Sequence, residues 1–312
     1  MEDIRDSFFY QIYHKAMQNK DIFFLSADMD AFALRKFAKD IPDQYLNIGV
    51  SEQNMINVAS GLAMTGKKVF CYSIASFATL RCLEQIKVNI CSHNLPVTII
   101  GAGVGFSFGY DGPTHHGHSD LSSMRLIPEM SILELSSSDI AKGAVQYSLN
   151  LNKPLYIRLD KGPYPNLSSF KANFKKGYRI IKKITDINIV TNGFMVKKSL
   201  EAIEKIKKKT GIQIGLVDSF IMKPFAKNFT KEILMKSKKI ISIEENCKTG
   251  GLGTQISELI TQNNLGCTHQ LISAPDRQFI EYGEREWFHK KYRLDLEGIQ
   301  NQIISKLKNY QL

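Results

Sequence analysis

The chain has 312 residues, 43% hydrophobic and 23% charged, an ordinary globular composition at a length that suits two domains. Its formal charge of +11 is Lys-rich and dispersed, as in Lys67-Lys68 and Lys205 to Lys209, with no helix-turn-helix, zinc-knuckle or RNA-binding aromatic pattern; no nucleic-acid partner is expected. No stretch nears the roughly 18 apolar residues of a membrane span, and five cysteines, odd in number and without CxxC, argue against a disulfide framework or a zinc site.

The N-terminus, "MEDIRDSFFYQIYHKAM", lacks the pattern of a secretory signal, so a reducing cytoplasm is the expected location. From there helical patterns alternate with short apolar runs. "IRDSFFYQIYHKAMQ" reads as a helix and "DIFFLSAD" as a buried strand. Residues 47 to 50 read as strand, with Ser51 capping a helix that buries Met55, Val58, Ala59 and Leu62. "KKVFCYSIAS" follows as strand, "TLRCLEQIKVNICSHN" as helix, and "LPVTIIGAGVG", "MSILELSS" and "KPLYIRL" as strands. Ser138 is placed to cap the helix "SSDIAKGAVQYSLN". Residues 166 to 184 form a basic stretch without clear periodicity, read as the crossing between domains. The alternation then resumes with "INIVTNG", "FMVKKSLEAIEKIKKKTG", "IQIGLVDS", "KPFAKNFTKEILMKS", "KKIISIEEN" and "GTQISELITQNN". This predicts an α/β fold of two open, mostly parallel sheets flanked by helices, with domains over 1–170 and 171–312.

Three segments could carry chemistry. Glu52 opens the predicted helix, where an acid is favoured by the helix dipole; the same strand-to-helix junction is where open α/β sheets bind ligands. The local window fits both readings. Residues 101 to 125, "GAGVGFSFGYDGPTHHGHSDLSSMR", form a glycine-rich loop of close approach. His115, His116 and His118 lack the spacing of a metal pair, so no metal site is expected. A loop histidine beside Asp111 suits acid–base or substrate-binding work better. Phe77 ends a strand with Arg81 four residues later; it serves either as core or as an aromatic face for a planar ring.

"GVSEQNM", "SFATLRCLEQ", "LPV", "DGPTHHG" with "DLSSMR", and "YIRLDKGP" stand in the order seen in the transketolase family. "VTNG", "DSFIMKP", "IEEN" and "GGLG" extend the resemblance through the second half. The resemblance implies a thiamine diphosphate pyrimidine-binding domain followed by a transketolase C-terminal-like domain. Family members carry a GDG motif and a downstream Asn that hold Mg²⁺ and the diphosphate; no GDG occurs here. The chain therefore resembles the C-terminal subunit of a split transketolase. It would pair with an N-terminal subunit in an α2β2 assembly that contains a self-dimer and acts on sugars or sugar phosphates.

By the same resemblance Glu52 matches the glutamate that bonds the cofactor's pyrimidine nitrogen. Phe77 matches the ring on which the pyrimidine stacks, and Arg81 a neighbour lining that pocket. Asp111 and His115 match the pair that binds the sugar near its C2, and His115 is a catalytic candidate with Glu52. Arg5 matches a substrate-phosphate ligand, as does Lys161, which stands where the family usually carries an arginine. Lysine keeps the charge and loses the bidentate fork. Gly103 and Val104 stand where relatives place a histidine or arginine, and Phe32 stands near a usual serine. These departures point to an unusual or modified donor sugar. Ser119 resembles the deoxyxylulose phosphate synthase branch, which stays open as an alternative. So do the beta subunit of 2-oxoacid dehydrogenases, which lacks "DGPTHH", and a non-catalytic, partner-binding subunit.

Overall fold

Near-continuous apolar runs bury both faces of a strand, which requires helices on both sides of a parallel sheet. The computed structural model, which describes residues 3–165 and 167–308, has that arrangement twice. Seven strands form the first sheet: β1 (Ile22–Ser26), β2 (Tyr45–Asn47), β3 (Lys68–Ile74), β4 (Val97–Ala102), β5 (Ser131–Glu134), β6 (Leu155–Leu159) and β10 (Ile221–Lys223). Their order is β10-β5-β6-β4-β3-β1-β2, and every pairing is parallel except that of β10 with β5. The second sheet joins β7 (Tyr178–Lys182), β8 (Ile187–Thr191), β9 (Gly215–Ser219), β11 (Lys239–Cys247) and β12 (Thr268–Ala274) in the order β12-β11-β8-β9-β7. Only β7 runs antiparallel there.

Helices Ile4–Ala16 and Ser138–Asn150 cover one face of the first sheet with Phe8, Phe9, Ile12, Ile140 and Ala144. Glu52–Met64 and the segment 75–91 cover the other with Met55, Ile56, Ala59, Cys82 and Ile86. The chain turns to opposite sides of β1 when it forms β2 and then β3. Such a reversal, at the carboxyl ends of the strands, is the usual place for a ligand in open α/β sheets.

Several local expectations need correction. The second strand is Tyr45–Asn47 and ends before Ile48, so residues 48 to 50 are loop. Ser51 occupies the N-cap position, yet its hydroxyl donates to the Ile48 carbonyl rather than capping the helix. The N-cap of the later helix is Ser137, one residue before Ser138. Residues 75 to 91 do not form one helix: an α-turn, a 3₁₀ turn, a second short α-turn (Leu83–Gln85) and a six-residue π-helix (Ile86–Cys91) follow one another. The basic stretch 166–184 contains β7. Its Arg179 is buried, because Asp218 and Asp139 accept from its guanidinium at 2.9 and 2.8 Å.

Buried polar groups join the two sheets. Glu134, at the end of β5, accepts from Arg158 Nη1 at 2.6 Å and from Asn192 Nδ2 at 2.7 Å. Arg285 reaches Asp160 of the first sheet and Glu245 of the second, and His289 Nε2 lies 2.6 Å from Glu245 Oε1. Burial raises the Glu245 carboxyl, but Arg285 and His289 outweigh it and hold the group well below the usual carboxylate range. Among the described residues no helix is long and apolar enough to cross a membrane.

Candidate active site

The carboxyl ends of β2, β3, β4 and β6 lead into the segments that carry Glu52, Phe77 with Arg81, Asp111 with His115, and Lys161, while Arg5 lies in the first helix. Glu52 is the first residue of its helix, as the local pattern predicts, and it is 2% exposed. A buried carboxylate needs partners for its lone pairs. Arg81 Nη1 donates to Oε2 at 2.6 Å, and Ser73 Oγ donates to Oε1 at 3.2 Å. Ser73 sits at the end of β3, and the sequence alone does not single it out; its place at a strand end beside "SF" is the only signal it gives.

Phe77 lies next to this pair. The Arg81 guanidinium carbon lies over its ring, 3.9 Å from the centroid, and the His115 imidazole meets it edge-on at 5.0 Å. Thr114 places His115: Ser76 Oγ donates to the Thr114 carbonyl at 2.7 Å, and the Thr114 hydroxyl lies 2.9 Å from His115 Nδ1. Glu52, Phe77, Arg81 and His115 are thus one contiguous cluster, although the chain separates them by up to 63 residues.

Lys161 and Arg5 are drawn together by Asp3. One Asp3 oxygen caps the first helix through Arg5 N at 2.9 Å and Asp6 N at 3.3 Å. The other accepts from Gly162 N at 2.9 Å. The exposed Lys161 ammonium lies over the Phe108 ring, 4.2 Å from its centroid, and that ring is 6.4 Å from His115. Phe108 is a second residue that sequence reading misses. It fits because residue 103 is glycine at φ +77°: a Cβ there would stand 1.8 Å from Phe108 Cδ2. Arg5 Nε and the Tyr72 hydroxyl are buried without a hydrogen-bond partner among the described residues. Burial, opposed by the neighbouring Arg5, pushes the Tyr72 phenol up to about 12. Asp111 is exposed on a 3₁₀ turn, and no hydrogen bond links its carboxylate to His115.

His116 and His118 point away from this cluster. They are buried against Phe288 and Phe279, at 5.2 and 4.6 Å between ring centroids. Burial keeps both neutral, with His118 brought down to about 4. The loop that bears all three histidines is anchored by Arg158, which donates to the Gly117 carbonyl at 3.1 Å and to both Asp120 oxygens at 2.8 and 3.0 Å. Tyr156 adds a hydroxyl to Asp120 at 2.6 Å.

A buried acid one side chain away from an aromatic face suits a flat heterocycle that presents an N–H edge. A metal is different: among the described residues no group of three or more His, Cys, Asp or Glu could hold one.

The chain matches the transketolase pyrimidine-binding domain over residues 3–166 and the transketolase C-terminal domain over 177–299. It is 30% identical to one subunit of the apulose-4-phosphate transketolase of Phocaeicola vulgatus, across 95% of this chain and 94% of that one. It is also 30% identical to the 1-deoxy-D-xylulose-5-phosphate synthase of Clostridium perfringens, covering 93% of this chain and 46% of the relative. The chain thus spans about half the length of those synthases. A solved structure described as a split-gene transketolase, an inactive beta4 tetramer, superimposes with a TM-score of 0.85 at 27% identity, over 98% of both chains. The transketolase of Campylobacter jejuni, at 18% identity and a TM-score of 0.79 over 97% of this chain and 46% of its own, shares the fold. Thiamine diphosphate is the cofactor of this family, and by both domain matches the chain belongs to the transketolase family.

Proposed function

We propose that the chain is one subunit of a thiamine-diphosphate-dependent transketolase that moves a two-carbon ketol unit from a ketose, or ketose phosphate, to an aldose. A second polypeptide with the GDG motif would hold the diphosphate and Mg²⁺. The observation that carries the reading is buried Glu52 beside the Phe77 face and His115, at the carboxyl edge of a pyrimidine-binding domain. Coverage of 94% of a chain that is itself a transketolase subunit supports the two-chain form over the synthase alternative, whose members are about twice as long.

Bound there, thiamine diphosphate would supply a nucleophilic ylid carbon and an electron sink for the transferred two-carbon fragment. Glu52 holds a proton at the ring nitrogen, in a position that water does not reach. Phe77 offers its face to the ring, and Arg81 lines the same pocket. His115 and Asp111 bind the hydroxyl and carbonyl oxygens of the sugar near the bond that breaks, and His115 can move a proton there. Arg5, with its unpartnered Nε, and Lys161 bind the anionic end of the substrate. Lys161 alone cannot form a fork on a phosphate, which suits a donor other than an ordinary phosphoketose.

The assembly we propose is α2β2, with this chain also paired to a second copy of itself. All five cysteines are buried and free, which suits the cytoplasm. The test is reconstitution. The chain alone should show no ketol transfer, and mixing it with a chain of the GDG type should restore transfer. Full activity of the isolated chain would refute the two-subunit reading.

A further inference from the structure

The two groups that would receive the cofactor's ring are already engaged, both by one side chain. The Arg81 guanidinium carbon lies over the Phe77 ring, 3.9 Å from its centroid, while its Nη1 donates to Glu52 at 2.6 Å. Guanidinium is planar and delocalised, with N–H groups along its rim. It therefore presents the same features as a protonated aminopyrimidine: a face for Phe77 and an N–H edge for Glu52.

Accessibility separates the partners. The Glu52 side chain is 2% exposed and fixed by Ser73, whereas that of Arg81 is 41% exposed. The root of the arginine is held, because Gln53 Nε2 donates to the Arg81 carbonyl at 3.0 Å. Rotation about side-chain bonds alone can carry the guanidinium into water. Glu52 cannot follow, and a buried carboxylate left without its cation is strongly disfavoured. From this we infer that Arg81 is an internal placeholder in the ring subsite: it pairs with Glu52 until an aminopyrimidine displaces it. The inference rests on the reading that Glu52 and Phe77 form that subsite.

A placeholder lowers apparent affinity by the fraction of time the site is open. A latch closed about nine-tenths of the time weakens ring binding about tenfold. The probe is 4-aminopyrimidine, which carries the ring without the diphosphate and so needs no ligand from a second chain. Calorimetric titration of the full chain should give about tenfold tighter binding in Arg81→Ala than in the parent. Arg81→Gln, which keeps more bulk and no charge, should tighten binding in the same direction and covers a folding failure of the alanine variant. Methylguanidinium should compete with the probe in Arg81→Ala, and adding Glu52→Gln should abolish the gain.

If Glu52→Gln weakens binding in the parent while neither Arg81 variant tightens it, the placeholder role is overturned and the ring site stands. If Glu52→Gln and Phe77→Ala both leave binding unchanged, the ring-site reading itself fails, and the placeholder with it.

Discussion

Replacing Arg158 with Met keeps the apolar stem of the side chain and removes its guanidinium from a site that is 2% exposed. That guanidinium serves two carboxylates: Asp120 through Nε and Nη2 at 2.8 and 3.0 Å, and Glu134 through Nη1 at 2.6 Å. Removing one member of a buried ion pair costs about 3–5 kcal/mol, because the charge left behind is uncompensated. Two stranded carboxylates place Arg158→Met at the upper end of that range, about 4–5 kcal/mol. The corresponding fall in melting temperature is on the order of 10 °C. Urea unfolding and scanning calorimetry measure both. The cause is electrostatic, so it has a pH signature. Without the guanidinium that opposes it, burial pushes the Glu134 carboxyl higher still, and the folded variant takes up a proton that the unfolded chain does not bind. Its deficit against the parent should shrink as pH falls from 8 to 5. A deficit below about 1 kcal/mol, or one equal at both pH values, would refute the account.

Gly103→Ala should destabilise the fold by about 2–4 kcal/mol, combining left-handed backbone strain with overlap on Phe108; a melting temperature matching the parent's would contradict this packing. Burial, opposed by Arg158, raises the Glu134 carboxyl to about 7 from an ordinary 4.5. A raised folded-state value means proton uptake on folding between those limits. The contribution is full below about 4.5 and is lost as pH rises through 7, by at most about 1.4 kcal/mol per pH unit. Urea midpoints from pH 5 to 8 should therefore fall less steeply in Glu134→Gln; an identical slope in both proteins would assign it elsewhere.

Most of the first sheet is legible in the sequence because its strands are buried on both faces and stand as uninterrupted apolar runs. The sequence pattern misplaces β2 by a few residues, since its three residues are largely exposed and Ile48 and Val50 imitate the pattern. β7 escapes notice because "KKGYRIIKK" looks solvated, and the charge of Arg179 is balanced inside by Asp218 and Asp139, which lie far away in the chain. The split helix at 75–91 is hidden for a similar reason: its residues have helical composition, and its irregular turns are set by packing. The helix-start position of Glu52 is readable from its window. Its pairing with Arg81, 29 residues on, is not, because nothing local requires it. The three loop histidines look alike in their local pattern; the family resemblance singles out His115, and the fold places it at the cluster with His116 and His118 in an aromatic core.

Glu52→Gln in the reconstituted two-chain assembly tests the central claim most directly. The substitution preserves shape and removes the acid, and loss of a positioned acid–base group costs about 10²- to 10⁴-fold. The account predicts a fall in ketol transfer within that range while the two chains still assemble; transfer at the parent rate would contradict it.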